Sequence, residues 1–419
     1  MNIDSGRLRE TIETNAEFGS LDTTDGRGRT VLTGSDADKQ AREYFVERLR
    51  SLDFDVRIDP VGNIAGRFTP ESADPDAPPV AAGSHLDSVP QGGIFDGPLG
   101  VYAALEAVRA IRASSLEPKR PLEVVSFTEE EGTRFGVGLL GSSVATGALS
   151  AEEALALEDT DGKTLKSHLD TTGFRGDARL DASSWDSWLE LHIEQSTELE
   201  TAGRQAGVVT AITGLRQYAV ELVGSADHAG GTRMDQRADA LVAASAFIRD
   251  MNRAAEEAAV SGDDFAVATV GSIEAEPNAT NVVPGRVELG LDIRDVDERV
   301  IDSLVDRATK SLARIEHSHN VDTTLTEQHA TPPAEMSHRC RQALSRAGSH
   351  HEIPTMELPS GGGHDTMNVA RVTDAGLLFA PSAGGISHSP EEWTAWDDCG
   401  ACTQVLATAM AELAGCEIE

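Results

Sequence analysis

Residues 36–52 (DADKQAREYFVERLRSL) set apolar side chains at helical spacing, and the run FDVRIDPVGNIAGRF after them reads as a strand. A Pro- and Asp-rich loop, TPESADPDAPP, comes next. PVAAGSHLDSV then reads as a buried strand ending in polar residues, residues 100–111 as a helix, and PLEVVSFTEEEG as a second strand ending in carboxylates. Strand, helix and strand with polar chemistry at the strand ends predict an α/β sheet that presents its function at the carboxyl edge.

Beyond GVVTAITG the pattern changes. YAVELVGSA alternates, ADALVAASAFIRDMNRAAEEAA has the period of a long helix, FAVATVGSIEA and VELGLDIRD read as strands, DERVIDSLVDRATKSLARIEH as a second helix, and residues 322–328 as a closing strand. That succession, β-α-β-β-α-β, predicts a ferredoxin-like α+β unit. From Pro332 the helix, loop and strand pattern of the first part resumes. The expected organisation is therefore a discontinuous α/β domain, residues 1–212 and 331–419, interrupted by an inserted unit at 213–330.

Composition narrows the partners. Seventy Asp and Glu against 35 Lys and Arg give a net charge of −35, and only five of the basic residues are lysine. No basic patch is available for nucleic acid or an anionic membrane. The acidity is spread along the chain and resembles that of proteins from salt-accumulating halophiles, where self-repulsion must be screened. No stretch is long and apolar enough for a membrane span. The polar start, MNIDSGRLRETIE, reads as neither a signal nor a transit peptide, so a cytoplasmic protein is expected. Cys399 and Cys402 have CxxC spacing but lie in an apolar helical run, CTQVLATAMAELAG, and read as small core residues.

The chemistry gathers in five places. His85 and Asp87 close a buried strand, and a carboxylate beside a histidine suits an imidazole that must be oriented toward a metal. Asp96 follows 11 residues later between glycines, in GGIFDG, where a carboxylate can bridge two cations. Glu129, Glu130 and Glu131 crowd three negative charges after an apolar strand, and a cation would turn that repulsion into ligation. One of these carboxylates can then bind metal while its neighbour serves as general base. His192 (LHIEQ) and His388 (GISHSP) complete a set of imidazoles and carboxylates that suits two Zn²⁺, Mn²⁺, Co²⁺ or Ni²⁺ ions sharing Asp96. His317, His319, His350 and His351 read as surface histidines.

The ordered series GSHLDSVP, GGIFDG, EEEGTRF, HIEQ and GISHSPEE resembles the amidase branch of the M20 metallopeptidase superfamily, which includes N-carbamoyl-L-amino-acid hydrolase, allantoate amidohydrolase and β-ureidopropionase. The resemblance runs from Gly62-Asn63 to His388-Ser389-Pro390, and the short interval from His85 to Asp96 favours this branch over the peptidases of the superfamily. It implies His85, Asp96, Glu131, His192 and His388 as ligands of two divalent metal ions. Asp96 would bridge; the resemblance leaves the split between the metals open, either with His85 and Glu131 completing one site and His192 and His388 contributing the rest, or with His85 and His192 binding one metal each or sharing with Asp96 and His388. It implies Glu130 as general base and Asp87 as the group orienting His85. In the inserted unit, taken as a lid and dimerisation domain, SADHAGG resembles the segment whose histidine, here His228, reaches the partner subunit's active site and stabilises the oxyanion. Asn281 in NATNVVPG and Arg294 in DIR match substrate-binding positions, with Gln195 and Gly362 in the larger domain. The GGG of SGGGHD departs from the commoner form of that segment, and His364 beside it reads as a supporting residue and not a ligand.

The activity so implied is hydrolysis of the linear C–N amide of a ureido group, with N-carbamoyl-L-amino acids as substrates, in a homodimer. The alternatives are allantoate amidohydrolysis, an aminoacylase or dipeptidase on the same scaffold, and a metal-binding scaffold without catalysis. Retention of Glu130 beside the ligand Glu131 speaks against the last.

Overall fold

The structure, a computed structural model, describes residues 1–260 and 265–418. It divides into two compact units, one made of Met1–Thr210 and Glu335–Glu419, the other of Ala211–Ala334.

The first unit opens its sheet with β1 (Asp55–Ile58) and β2 (Ile64–Phe68), an antiparallel hairpin with Ile58 opposite Ile64. Residues 54–68, expected as one strand, are therefore two. The buried Asp59 carboxylate accepts hydrogen bonds from the Val61 and Asn63 N–H groups at 3.0 and 2.9 Å and from Asn63 Nδ2 at 2.8 Å, and Gly62 turns at φ +86°. An Asp that captures the backbone ahead of it, followed by a glycine, makes a turn that apolar periodicity does not reveal. After the hairpin come β3 (Val80–His85), β4 (Leu122–Phe127), β5 (Ser187–Ile193) and β6 (Ala206–Ile212).

The inserted unit holds β7 (Gly214–Val223), β8 (Asp227–His228), β9 (Val267–Glu276), β10 (Val282–Val283), β11 (Arg286–Asp295) and β12 (Asp322–Thr331). Its four long strands are antiparallel in the order β12-β7-β11-β9, the ferredoxin-like arrangement. Val287, Leu289, Leu291 and Ile293 point to the face covered by helices Ala240–Val260 and Glu298–His319, so the alternate residues of β11 occupy the face without helices. β8 and β10 form a separate two-stranded ladder.

The chain returns to the first unit with β13 (Ala334–Glu335), β14 (Thr355–Ser360) and β15 (Asp374–Ala380). The large sheet runs β1-β2-β4-β3-β5-β15-β6-β13, with β14 on β6. β4, β3, β5 and β15 are parallel neighbours. They are buried on both faces, as their continuous apolar character requires. Val80, Ala82, Leu189 and Leu191 join the core formed with helices Pro98–Ala113 and Trp396–Leu413, while Ala81, Val125 and Trp188 join a smaller core with Trp185 and Val369 on the other face. Parallel strands align their carboxyl ends, and the loops there carry the polar residues of interest. Among the described residues no helix is long and apolar enough to cross a membrane.

Candidate active site

His85 is the last residue of β3, Glu129–Glu131 follow β4, His192 is next to last in β5, and His388 lies in the loop after β15. Asp96 precedes the helix Pro98–Ala113, at whose start Gly97 turns with φ +81°. A Cβ on Gly97 would lie 2.5 Å from Cε1 of His85, so only glycine lets the Asp96 loop close on that imidazole.

The side chains converge on Asp96. Its Oδ1 lies 3.5 Å from His85 Nε2 and 3.3 Å from His192 Nε2. Its Oδ2 lies 3.4 Å from His388 Nε2, which is also 3.4 Å from Glu131 Oε2. Two groups able to hold a metal ion therefore share Asp96: His85, Asp96 and His192, and Asp96, Glu131 and His388. The resemblance left the division between two metals open, and the side chains group differently from its first arrangement, His85 with Glu131. His85 pairs with His192, and Glu131 with His388, because adjacent parallel strands β3 and β5 bring the first two imidazoles side by side, with ring centroids 5.9 Å apart.

The imidazoles are set for ligation. His85 Nδ1 donates to the Asp87 carbonyl at 3.2 Å and His192 Nδ1 to the Ile193 carbonyl at 3.0 Å, which leaves each Nε2 as the lone-pair nitrogen facing Asp96. His85 Nε2 is buried and has no hydrogen-bond partner. Imidazole and carboxylate donors with an orphaned, inward-facing nitrogen fit a borderline divalent cation. Asp87 orients His85 chiefly through its carbonyl, since its carboxylate lies 3.6 Å from Nδ1. That carboxylate accepts the N–H groups of Glu130 and Glu131 at 3.3 and 3.2 Å and so ties the two loops together.

Electrostatics also call for cations here. Burial, aided by Asp87 for Glu129 and by Asp96 for Glu131, pushes both carboxyls up to about 7. Burial pushes Glu130 well above the carboxylate range, with Glu131, Asp365 and Asp87 adding to the shift against the pull of His85. Burial opposes charge on Asp96 as well, but His192, His388 and His85 outweigh it and hold Asp96 well below its usual value. The hydrogen bond to Asp96 raises His388 to about 9. Backbone strain accompanies these demands: Glu129, Gln195 and His388 have φ of +55°, +57° and +54°.

Gln195 lies closer to the centre than its expected substrate role required. Its Nε2 donates to Asp96 Oδ2 and to Ser387 Oγ, both at 2.9 Å, and its Oε1 faces Gly362. The remaining expected residues belong to the inserted unit. His228 and Asn281 meet at the β8–β10 ladder, where the Ala229 N–H donates to the Asn281 carbonyl at 3.0 Å. His228 Nδ1 accepts the N–H groups of Gly230 and Gly231 at 3.0 and 2.9 Å, so the neutral ring carries its proton on the exposed Nε2. Arg294 is on β11, on the face without helices, and its fork engages Asp292 at 2.8 and 3.2 Å.

Two contributors, Arg29 and Glu392, were not singled out by the sequence. Arg29 is fully buried and donates to the carbonyls of Gly93, Asp87 and Asp96. Glu392, also buried, accepts the N–H groups of Phe95 and Asp96. Sequence separation hides these contacts, although Glu392 closes the HSPEE motif. His364 packs edge-on against His192 at 4.4 Å, and burial with His192 holds it well below the usual imidazole range. Glu190, His192 and His364 also lie close enough for a metal, but Glu190 is already satisfied by Ser84 and Thr366. Cys399 and Cys402 are buried in the helix Trp396–Leu413, which pushes both thiols up and keeps them protonated.

The profile of peptidase family M20/M25/M40 matches residues 81–412. The chain belongs to this family. The M20 family is metal-dependent, and the two groups around Asp96 are able to bind metal. Among M20 relatives, an N-carbamoyl-L-amino-acid amidohydrolase from Paenarthrobacter aurescens is 37% identical over 408 residues, 96% of this chain and 98% of the relative. An allantoate amidohydrolase from Bacillus subtilis is 34% identical over 92% of each chain. The crystal structure of an amidase of the hydantoinase/carbamoylase family from Burkholderia multivorans superposes with a TM-score of 0.90 at 34% identity, covering 99% of this chain and 98% of that one.

Proposed function

We propose that this chain hydrolyses the linear C–N amide bond of a ureido group, converting N-carbamoyl-L-amino acids to the amino acid, carbon dioxide and ammonia. The observation that carries the reading is the Asp96 carboxylate, turned with one oxygen to His85 and His192 and the other to His388, with Glu130 Oε2 3.6 Å from His85 Nε2. The near full-length similarity to an N-carbamoyl-L-amino-acid amidohydrolase supports the substrate class.

His85 and His192 would hold one divalent ion, Glu131 and His388 a second, with Asp96 between them. Bound cations of this class lower the pKa of water and polarise a carbonyl. Glu130 takes a proton from the water that attacks the ureido carbon and returns it to the departing nitrogen. The carbamate released breaks down to carbon dioxide and ammonia. Gln195 and Asn281 offer amide groups to the ureido group, Gly362 leaves room beside Gln195, and Arg294 reads the carboxylate. The His228 Nε2–H donates to the oxyanion from the partner subunit of a homodimer. A monomer in sedimentation equilibrium at assay concentration would remove that last element.

The test is a substrate panel assayed with Mn²⁺ in high salt: N-carbamoyl-α-amino acids, N-carbamoyl-β-alanine, allantoate and an N-acetyl amino acid. The expected result is ammonia release, fastest from N-carbamoyl-L-α-amino acids, abolished by chelation and restored by Mn²⁺, Co²⁺, Ni²⁺ or Zn²⁺. Full turnover in a preparation shown by elemental analysis to be metal-free overturns the reading. The allantoate alternative has its own support in the Bacillus relative, and preference for allantoate in the panel would establish it.

A further inference from the structure

The Asp96 loop is gripped from both sides by charged groups that touch no imidazole. Arg29 is 0% exposed. Its guanidinium donates from Nε to the Gly93 carbonyl at 3.1 Å and from Nη2 to the Asp87 and Asp96 carbonyls, each at 3.4 Å. From the other side, Glu392 Oε1 accepts the N–H groups of Phe95 and Asp96 at 2.9 and 3.1 Å. The Asp96 peptide is therefore held on its carbonyl side by Arg29 and on its N–H side by Glu392. Glu392 fits tightly: a Cβ on Gly93 would fall 2.2 Å from its Oε1.

The grip reaches the other metal-facing loops. Ser387 Oγ lies 3.0 Å from Asp96 Oδ2 and 3.4 Å from Glu392 Oε2, joining the His388 loop to both carboxylates. Around Arg29 the backbone continues the same work. The Arg27 N–H donates to the Pro390 carbonyl at 2.7 Å, the Arg29 N–H to the Gly92 carbonyl at 2.9 Å, and Val31 exchanges hydrogen bonds with Ser88. Residues 27–31 thus stitch together the loops that carry Asp87, Asp96 and His388. They lie outside the stretch matched by the family profile, which begins at residue 81.

A buried guanidinium and a buried carboxylate are costly to keep, and structural packing alone would be served by apolar residues. We propose that Arg29 and Glu392 are positioning residues of the metal-dependent reaction, which hold the Asp96 backbone so that its two carboxylate oxygens face the two ligand groups at once. The proposal rests on Asp96 being the shared ligand. Bridging demands one rotamer on one backbone position, because a rotation that improves the approach to His85 and His192 withdraws the other oxygen from His388. Arg29 fixes the carbonyl side of the loop and Glu392 the N–H side.

The experiment measures metal and not turnover. Full-length wild type, Arg29→Met, Arg29→Lys, Glu392→Ala and Glu392→Gln are loaded with Co²⁺. Affinity is read by chelator competition, ligand geometry by the visible cobalt absorption, and secondary structure by circular dichroism. Arg29→Met and Glu392→Ala should keep wild-type secondary structure, bind the second Co²⁺ about 10- to 100-fold more weakly, the range for residues that support ligands, and change the cobalt bands. Arg29→Lys and Glu392→Gln, which keep a donor and an acceptor in place, should recover part of the affinity. Wild type that takes up no Co²⁺ refutes the metal reading itself. Wild type that binds two, with folded Met and Ala variants matching its affinity and spectrum, refutes the positioning role alone. Loss of secondary structure in all four variants would make the pair purely structural and equally overturn the proposal.

Discussion

Glu130 and Glu131 are chain neighbours for which different tasks are proposed. Glu131 Oε2 approaches His388, while Glu130 Oε2 lies near His85, one on each side of Asp96. Glu130→Gln should therefore retain both metals by elemental analysis and lose kcat by at least about 10²-fold, the scale of general-base catalysis. Normal turnover in that variant would displace Glu130 from the role. Arg294 faces a different competition. Its fork is engaged with Asp292, which also accepts Gln217 Nε2 at 2.9 Å, so the guanidinium is held in place on a half-exposed strand face. A charge-assisted contact to a substrate carboxylate is worth about 1.5–3 kcal/mol, or roughly 10- to 150-fold in kcat/KM. Arg294→Ala should lose that much on N-carbamoyl amino acids and almost nothing on N-carbamoyl amides that lack a carboxylate. An equal loss on both would mean that Arg294 only braces its strand.

At the scale of elements, the parallel strands β3, β4, β5 and β15 decide which loops meet, and short glycine turns decide how closely. At Gly97 the backbone has positive φ and a Cβ would find no room beside His85. Gly97→Ala should cost about 1–3 kcal/mol in denaturant unfolding from backbone strain, with the clash at His85 added. It should also weaken metal binding, because relief of the clash moves the imidazole. Unchanged stability together with unchanged metal affinity would show that the loop can relax without disturbing His85.

Across the whole molecule the dominant property is a net charge of −35. The arginines are largely committed to local pairs, such as Arg286 with Glu221, Glu276 and Glu288, so the surplus carboxylates repel one another through solvent. Screening shortens the reach of that repulsion from about 10 Å at 0.1 M salt to about 3 Å at 1 M. Melting temperature and activity should therefore rise between about 0.1 and 3 M KCl. A flat melting temperature over that range would count against salt adaptation.

The candidate His, Asp and Glu residues, their order and their placement at or near strand ends were legible in the residues themselves, because buried parallel strands read as apolar runs and the loops after them break that pattern with polar side chains. So was the β-α-β-β-α-β succession of the inserted unit, whose helices and strands have distinct periods. The hairpin at residues 55–68 was not legible, since its turn depends on Asp59 capturing backbone donors and not on hydrophobic alternation. Nor was the grouping of His85 with His192 and of Glu131 with His388 around Asp96, which the lateral strand order β4-β3-β5-β15 brings about. Strand order is set by how cores pack on both faces of a sheet, and no local pattern encodes it. Arg29 and Glu392 illustrate the same limit most sharply. Their partners lie 64 and 297 residues away in the chain, and only the closure of three loops onto one carboxylate gives those charges something to hold.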